Sequence, residues 1–326
     1  MQNTLLYIYE VYRERSFSRA AKNLFISQPA LSACIKKVEQ EIGMQLFDRS
    51  SLPIGLTEAG ELYIHAIQKI MAAENELSTQ ISELGNLERG HLVIAGANFF
   101  SAYMLPPIIK AFSDIYPGVD LEITESDTNL LYTESVQEGI DLILDGGTCD
   151  SQLYDRTPLF KECIIFAVPR DNPLNKHFKD CMLTYDDIIN RKHRTKEAKA
   201  VDIRAFEQER LILLKRGHDM HMRSANICDH AGFTPRSVLY VNQLSTAANM
   251  AAHGLGCCFV TDTLVRMTPM DHDALVFYVV ADAVAWREVF IAWHRKGVKT
   301  KVMEQFIAIA KQVYDPEHWT SPEDII

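Results

Sequence analysis

The first sixty positions carry apolar residues at helical spacing, and this pattern predicts three short helices. The first helix is predicted over about Asn3–Glu14, and the second is predicted to begin at Ser18 as its N-cap. The third opens at Ser27-Gln28-Pro29. Ser27 can cap this helix, and Pro29 falls in its first turn, where the missing N–H costs little.

The third helix has an apolar face and a polar face. The apolar residues are spaced by four, three and four, and they predict one buried stripe: Leu31, Ile35, Val38 and Ile42. A different face carries polar side chains spaced by four: Gln28, Ser32, Lys36 and Gln40. This face suits a helix in the major groove of DNA, where Gln and Ser contact base edges and Lys contacts phosphate. Periodicity alone leaves an ordinary amphipathic surface helix as an equal alternative.

A hairpin and a long helix are predicted next. Two short extended pieces around a Pro/Gly turn, at 46–49 and 50–56, predict the hairpin. Thr57 is the expected cap of a helix that runs to about Leu84, roughly 40 Å at 1.5 Å per residue. Its apolar stripe has heptad spacing with one break, at Glu74: Tyr63, Ile67, Ile70, Leu77, Ile81 and Leu84. So narrow a stripe requires a partner, and we expect a second copy of the chain; packing on the chain's own downstream domain is the alternative.

Strands and helices alternate beyond the polar hinge at 85–90, which predicts a mostly parallel sheet. The predicted strands are Leu92–Ala95, Val119–Glu125, Asp141–Leu144, Cys163–Val168, Arg210–Leu214, Ser237–Val241, Cys257–Val260 and Val289–His294. The predicted helices are Leu105–Tyr116, Asn129–Gln137, Met220–Ala231, Leu244–His253 and Lys301–Val313. Residues 315–326 form a polar tail that we expect to fray.

Composition and charge narrow the function. The chain has 326 residues, 47% of them apolar, which is enough for about two domains. The chain contains no run of about 18 apolar residues, which a membrane span would need, and no secretory signal is recognisable. We therefore expect a cytoplasmic protein with no membrane partner. The net charge is −10, but residues 1–60 hold seven basic and six acidic side chains. The acidic remainder would repel DNA, which leaves the N-terminal segment as the candidate for DNA contact.

Five motifs, in order and spacing, resemble the N-terminal domain of LysR-type transcriptional regulators. They are the segments SFSRAAKNL at 16–24, SQPALS at 27–32, VEQEIG at 38–43, LFDR at 46–49 and LTEAG at 56–60. The resemblance implies an all-α winged helix-turn-helix that binds double-stranded DNA, with the hairpin as the wing. The side chains that we expect at the DNA are Arg19, Ser27, Gln28, Pro29, Ser32, Lys36 and Arg49.

Two departures from the family pattern affect the expected affinity. Many relatives carry an arginine directly after the serine that matches Ser32, but Ala33 and Cys34 follow here. The wing tip at 51–54 also lacks the basic residue that is often found there. We therefore expect fewer phosphate contacts and a shallower salt dependence of DNA binding.

The resemblance also implies a domain order. Residues 1–58 would form the DNA-binding domain, 59–89 the linker helix and hinge, and 90–314 a two-lobed α/β effector-binding domain that resembles periplasmic solute-binding proteins. Lobe I would comprise 90–163 and 270–314, and lobe II 164–269, with 315–326 as a tail. A homodimer or homotetramer is implied, together with an operator of approximate two-fold symmetry. RNA polymerase is an expected partner, and no cofactor is expected beyond a small-molecule effector.

Polar residues at strand ends and helix N-termini are candidates for the effector site, because free N–H groups there favour anions. The candidates are Asn98, Phe99, Ser101, Thr128, Lys215, His218, Gln243, Thr246 and Thr261. Each polar residue could equally serve as a helix cap. Lys215 suggests a negatively charged effector, although a solvated lysine is an equal possibility. The basic run at 191–200 is expected to be a solvated loop, with a second DNA contact as the alternative.

Three other functions compete with this interpretation. Against an enzyme, the chain contains no G-x-S-x-G, Walker or G-x-G-x-x-G motif. His218, His221, Cys228 and His230 could bind a metal ion, but their spacing is not a recognised zinc pattern. Against thiol redox sensing, no cysteine lies between Cys181 and Cys228, and adjacent strand residues such as Cys257 and Cys258 point to opposite faces.

Overall fold

The computed structural model describes residues 2–50, 53–83, 90–125, 132, 139–235, 237–269, 271 and 273–314. The chain forms two compact units, one comprising residues 1–78 and the other most of the chain from Thr79 onward. Several predicted features lie outside the described residues: the wing tip at 51–52, the hinge at 84–89, Thr128, most of the helix at 129–137 and the tail at 315–326.

Three short helices form the core of the first unit: α1 (Gln2–Glu14), α2 (Phe17–Asn23) and α3 (Gln28–Ile42). The predicted cap at Ser18 is wrong. The Oγ of Ser16 accepts a hydrogen bond from the Arg19 backbone N–H at 3.4 Å, so α2 begins one residue after Ser16. The predicted stripe on α3 is buried except for Ile42, which is 40% exposed because it is the last residue before Gly43 ends the helix at φ +74°.

A short hairpin, β1 (Phe47–Asp48) with β2 (Gly55–Leu56), precedes the long helix α4 (Glu58–Glu83). Thr57 caps α4 as predicted, because its Oγ1 accepts from the Gly60 N–H at 3.0 Å. The same hydroxyl donates to the Gln45 carbonyl at 2.6 Å. Gly60 is required here, since a Cβ at this position would lie 2.0 Å from the Leu46 carbonyl oxygen. The hairpin is thereby joined to the first turn of α4.

The exposed apolar stripe of α4 shares Ile70 and Leu77 with the predicted one, but the predicted members Tyr63 and Ile67 do not belong to it. The side chains of Ile81 and Leu84 lie outside the described residues. Tyr63 is half-buried and Ile67 is fully buried, because both pack into the core of the first unit. The exposed apolar side chains follow spacings of four, four, three and four: Leu62, Ala66, Ile70, Ala73 and Leu77. We call these five residues the α4 stripe. No contact with other described residues of the first unit buries them.

The second unit consists of two sheets that share the strand β6 (Tyr154–Pro169). In lobe I the strand order is β4-β3-β5-β12-β6, and in lobe II it is β6-β10-β8-β9, with β11 also paired to β6. Their bounds are β3 Gly90–Gly96, β4 Val119–Glu125, β5 Leu142–Asp145, β7 Ala200–Val201, β8 Arg210–Leu214, β9 Ser237–Val241, β10 Cys257–Thr261, β11 Leu275–Val280 and β12 Trp286–His294. The pairs β3–β4, β3–β5, β8–β9 and β8–β10 are parallel, as the alternating pattern predicts.

Helices cover both lobes. Lobe I carries α5 (Leu105–Ile115) and α10 (Lys301–Val313), which pack on each other and on its sheet. Lobe II carries α6 (Tyr185–Ile189), α7 (Asp219–His230), α8 (Leu244–Ala252) and α9 (Asp262–Met267). No helix in the described part of the chain combines the length and apolar character needed to cross a bilayer.

The predicted return to lobe I at residue 270 is wrong. Strand β11 pairs antiparallel with the second half of β6, and its side chains lie in the core of lobe II. The chain returns to lobe I only at Trp286, which pairs with Cys163 at the point where β6 passes between lobes. The apolar run of β11 was not predicted as a strand, although it has the continuous apolar character that marked Cys163–Val168 as one.

Candidate functional site

The exposed face of α3 brings together the residues predicted to contact DNA. The Ser27 Oγ accepts from the Ala30 N–H at 3.3 Å and so caps the helix, as predicted. Gln28, Pro29 and Lys36 are exposed, and Ser32 is half-buried. Because positions 28, 32 and 36 are each about one helical turn apart, their side chains form a single row along α3. A recognition helix presents such a row to the bases of the major groove.

Arg49 is held in place at the base of the hairpin. Its Nη2 donates to Glu39 Oε2 at 2.9 Å, and its guanidinium lies 4.9 Å from the centroid of the Phe17 ring. Glu39 is buried on α3, and its Oε1 accepts from the Leu46 N–H at 2.9 Å. Arg49 remains 42% exposed, so its other N–H groups can reach a phosphate. The sequence signal that could have revealed Glu39 is its position beside the apolar stripe of α3.

Arg19 is also exposed, at the start of the helix-turn-helix. Its Nη2 donates to the Glu14 carbonyl at 2.6 Å. Phe25, which sequence reasoning missed, lies in the turn between α2 and α3 with a positive φ of 55°, and it is 96% exposed. A bulky residue is strained in this conformation, and no described residue of the first unit covers its ring.

A narrow cavity of about 70 Å³ lies between the lobes, enough space for about five water molecules. The loop after β3 and the end of β5 line it from lobe I, and the N-termini of α7 and α8 line it from lobe II. Four of the predicted effector residues meet there: Asn98, Phe99, His218 and Gln243. Phe100, Asn242 and Ser245, which stand beside these candidates in the same strand-end segments, also line the cavity. The strand ends and helix N-termini gave no indication of four other lining residues: Asp145, Asp219, Met220 and Arg287.

The other described effector candidates do not line this cavity. Thr261 is fully buried and caps α9, accepting from the Leu264 N–H at 3.1 Å, so the prediction that it contacts the effector is wrong. Ser101 is buried and donates to the Gly96 carbonyl at 3.1 Å. Lys215 and Thr246 are exposed outside the cavity. The anionic effector suggested by Lys215 therefore loses its support.

Ion pairs join the lobes beside the cavity. Arg287 donates from Nε to Glu162 Oε1 at 2.6 Å and from Nη1 to Asp219 Oδ2 at 3.2 Å. Arg223 donates from Nε to the same Asp219 oxygen at 2.7 Å. Arg287 belongs to β12 and Asp219 to the first turn of α7, so this pairing connects the lobe I sheet to a lobe II helix.

Asp145 ends β5 at the cavity wall and is only 2% exposed. Tyr132 donates its hydroxyl to Asp145 Oδ2 at 2.9 Å, and the Gly146 N–H donates to Oδ1 at 2.8 Å. Burial raises the pKa of Asp145, and these hydrogen bonds only partly oppose the effect. A carboxyl in this state takes up a proton more readily than an ordinary aspartate.

A second buried aspartate lies where the chain crosses between lobes. Asp262 accepts from Arg194 Nε at 2.8 Å and from the Cys163 N–H at 2.9 Å, and His193 Nε2 lies 2.8 Å from its Oδ2. Burial alone would raise the pKa of Asp262, but the hydrogen bond from His193 and the charge of Arg194 hold it well below its usual range. The prediction of a solvated loop at 191–200 is therefore wrong for His193 and Arg194, which are both buried.

The metal and redox alternatives find no support in the described residues. His221 Nδ1 lies 2.7 Å from the Leu214 carbonyl, and His230 Nδ1 lies 2.8 Å from Asp282 Oδ2. Within the described ranges, no group of three or more His, Cys, Asp or Glu could hold a metal ion. Burial raises the pKa of Cys228 and Cys257 to about 12, so their reactive thiolate forms are scarce at neutral pH.

Two family profiles match the chain. The profile of the bacterial regulatory helix-turn-helix protein of the lysR family matches residues 2–61. The profile of the LysR substrate binding domain matches residues 85–181 and 188–315. Together they span both units described above.

Individual relatives agree with the profiles. The chain is 26% identical over 308 residues to the uncharacterized HTH-type transcriptional regulator YcgK of Bacillus subtilis strain 168, covering 94% of this chain and 92% of that protein. It is 26% identical over 252 residues to the DNA-binding transcriptional dual regulator OxyR of Escherichia coli K12, covering 77% of this chain and 76% of OxyR.

Solved structures share the fold. A full-length OxyR variant from Pseudomonas aeruginosa superposes with a TM-score of 0.69 at 22% identity, over 99% of this chain and 98% of that one. Full-length CbnR in complex with its target DNA gives a TM-score of 0.66 at 16% identity, over 95% of this chain and 99% of that one. The chain therefore belongs to the LysR family, and it is a DNA-binding transcription regulator with an effector-binding domain rather than an enzyme.

Proposed function

We propose that α3 enters the major groove with Ser27, Gln28 and Pro29 at the base edges. Ser32 and Lys36 continue the same row, with Lys36 directed to phosphate. Arg49 and Arg19 contact the backbone from the hairpin and from α2. The observation that carries this assignment is the exposed polar row on α3, opposite a face that the core buries.

The α4 stripe supports pairing with a second copy of the chain. Its five apolar residues are exposed along one side of a helix of 26 residues, about 39 Å long. Two such helices pack by burying these residues against each other, which gives a homodimer. A two-fold dimer presents two copies of α3, and therefore binds an operator of approximate two-fold symmetry. Further pairing of dimers would give a tetramer.

The cavity between the lobes is the proposed effector site. An effector held by Asn98 and Phe99 from lobe I and by His218 and Gln243 from lobe II contacts both lobes at once. It therefore favours one interlobe angle over others, because only a ligand with different affinities for two states can shift their populations. In a dimer this shift changes the spacing of the DNA-binding domains, and with it the response of RNA polymerase at the promoter. Such a regulator acts in the cytoplasm, where bacterial DNA lies.

Gel retardation with the intergenic fragment upstream of the gene tests the DNA assignment. We expect Gln28→Ala to weaken binding by about tenfold or more, because a lost base contact costs about 1–3 kcal/mol. Gln152→Ala is the matched control: the same change at an exposed glutamine of the second unit, outside the DNA-binding domain, should alter binding less than twofold. We expect Lys36→Ala to reduce the salt slope by about 1 without changing sequence preference. Equal behaviour of the two glutamine variants would contradict the assignment.

Sedimentation of α4 variants tests the pairing. Ile70→Glu places a charge in the α4 stripe and should shift the protein toward monomer at micromolar concentration. Lys69→Glu puts the same side chain on the neighbouring exposed position outside the stripe and should leave the assembly unchanged. A stable dimer of the Ile70 variant would show that the stripe is not the interface.

A further inference from the structure

Five ionisable side chains lie at or beside the cavity between the lobes, and among the described residues their charges do not balance; Asp145, Asp219 and Arg287 line the cavity itself. We call these five side chains the ionic cluster: Asp145, Glu162, Asp219, Arg223 and Arg287. Three carboxylates face two guanidinium groups. When all five are ionised, the ionic cluster carries one excess negative charge in a place where water is largely excluded.

The excess charge falls on Asp145. Both arginines are engaged with the other two carboxylates, and Arg223 also donates from Nη1 to the carbonyls of Val284 at 2.8 Å and Trp286 at 3.1 Å. Among the described residues, the hydrogen bonds to Asp145 come from neutral donors, the Tyr132 hydroxyl and the Gly146 N–H. The charges of Arg287 and Asp219 also act on Asp145: the Arg287 guanidinium opposes the rise of its pKa, and the Asp219 carboxylate reinforces it.

Glu162 is a second carboxylate of the ionic cluster that could accept a further hydrogen bond. Its side chain is completely buried, and its Oε1 accepts from Arg287. Its Oε2 has no hydrogen-bond partner among the described residues. Buried carboxylate oxygens without a donor are costly, so the ionic cluster is short of hydrogen-bond donors as well as of positive charge.

This imbalance selects the charge of the effector. An effector with only a carboxylate would bring a fourth anion to two guanidinium groups already in use, and like charges at such distances repel strongly. A protonated nitrogen in the cavity supplies the positive charge and the hydrogen-bond donors that Asp145 lacks. We propose that the effector is a small molecule with a protonated amino group, which binds Asp145. This inference rests on the proposed effector site.

The rest of the cavity fits such a molecule. The rings of Phe99 and Phe100 line it with centroids 5.5 Å apart, and aromatic faces attract cations. On the opposite wall α8 begins after Gln243, whose side chain does not cap the helix. The first N–H groups of α8 can therefore receive a carboxylate. An amino acid would contact both walls, with its ammonium group at Asp145 and its carboxylate at α8. A simple amine would contact only the wall that carries Asp145.

Binding at neutral pH releases a proton if Asp145 is protonated in the empty protein. The carboxyl gives up its proton to the buffer, and the carboxylate then accepts a hydrogen bond from the ammonium group. The other titratable or charged groups that face Asp145 are Tyr132, Cys149, Asp219 and Arg287. Of these, burial raises the pKa values of Tyr132 and Cys149, so both stay neutral near pH 7.

The test is a thermal-shift series on the full-length protein with defined probes. The probes are butylamine, butyrate, butyramide and the twenty protein amino acids. We expect at least one ammonium compound to raise the unfolding midpoint by about 2 °C or more, while butyrate and butyramide leave it unchanged. A larger shift from an amino acid than from butylamine would assign its carboxylate to the N-terminus of α8. Stabilisation by butyrate alone, or by no ammonium compound, would overturn the proposal.

A variant pair then locates the binding. For the stabilising compound, Asp145→Asn should weaken the affinity measured by calorimetry at least tenfold. Asp120→Asn changes an exposed aspartate on β4 of the same lobe and should leave the affinity unchanged. Equal affinity in both variants would overturn the proposal. Retardation of the intergenic fragment by ligand-free wild-type protein is independent of this result, so failure of the amine proposal is distinguishable from failure of the proposed DNA binding.

Discussion

Asp145 and Asp262 are both buried aspartates in the same unit, yet burial has opposite outcomes for them. Asp262 meets Arg194 and His193 directly, and its pKa is held well below the usual range. Asp145 meets a tyrosine hydroxyl and a backbone N–H, and its pKa is raised. Direct cationic partners, not depth, decide whether a buried carboxylate stabilises the fold. Asp262 joins crossing segments of the structure, whereas Asp145 leaves charge unbalanced at a cavity.

The largest expected effect is at Asp262. Asp262→Asn should destabilise the protein by about 3–5 kcal/mol, because it leaves the buried guanidinium of Arg194 without an anionic partner. Urea unfolding at pH 7 measures this loss. Asp120→Asn serves as the exposed control and should change stability by less than about 0.5 kcal/mol. A loss at Asp262 no greater than that control would contradict the comparison.

An added methyl group beside Asp145 should have an intermediate effect. A Cβ at Gly146 would lie 3.1 Å from Phe100 Cζ and 3.2 Å from Arg287 Cζ, so Gly146→Ala must displace one of them. We expect a loss of about 1–2 kcal/mol in the free energy of unfolding, as in other overpacked sites. Unchanged stability would show that Arg287 moves freely, and that the ionic cluster is looser than its geometry indicates.

Asp145→Asn should stabilise the protein at neutral pH, by about 1 kcal/mol. The raised pKa means that folding takes up a proton at Asp145 between the ordinary aspartate value of about 3.9 and the raised value. Stability from this site is therefore complete at low pH and declines as the pH rises through that interval. Asparagine has no such proton, so the difference between variant and wild type should grow from about pH 4 upward. Parallel stability profiles across this range would contradict a raised pKa.

The smallest effect is expected at a third aspartate. Burial also raises the pKa of Asp141, whose Oδ2 accepts from the Val93 N–H at 2.8 Å. An asparagine oxygen can accept the same hydrogen bond, so Asp141→Asn should change the free energy of unfolding by less than about 1 kcal/mol. Chemical unfolding near pH 7 suffices as the measurement. A loss as large as that of Asp262→Asn would show that the Asp141 carboxylate has an essential charged partner.

Local signals explain why the exposed polar face of α3 was predictable. Ser27, Pro29 and Thr57 act on neighbours within a few residues, so their roles as caps or first-turn residues follow from the sequence alone. The polar row and the buried stripe of α3 likewise depend only on helical spacing. Even here the cap of α2 was misplaced by two residues, since Ser16 and Ser18 are both good capping residues.

The cavity was less predictable because its chemistry depends on long-range pairs. Arg287 meets Glu162 and Asp219, which lie 125 and 68 positions away. The basic run at 191–200 has the composition of a solvated loop, and only the distant Asp262 explains why Arg194 is buried. Strand ends do indicate where such a cavity opens, and for this reason Asn98 and Gln243 were placed correctly. The charge balance inside the cavity does not follow from the sequence, because its charged side chains are far apart along the chain.

The contacts of Glu39 restrict which residues can change when the preferred operator sequence changes during evolution. The Glu39 carboxylate connects the C-terminal part of α3 to the Leu46 backbone N–H and to the Arg49 guanidinium, so a mutation of Glu39 disturbs the fold and the position of Arg49 together. Gln28 and Lys36 point outward and can be exchanged without loss of core packing. Under the proposed DNA assignment, exchanges in this exposed row change the preferred operator while the contacts of Glu39 keep the geometry of the hairpin.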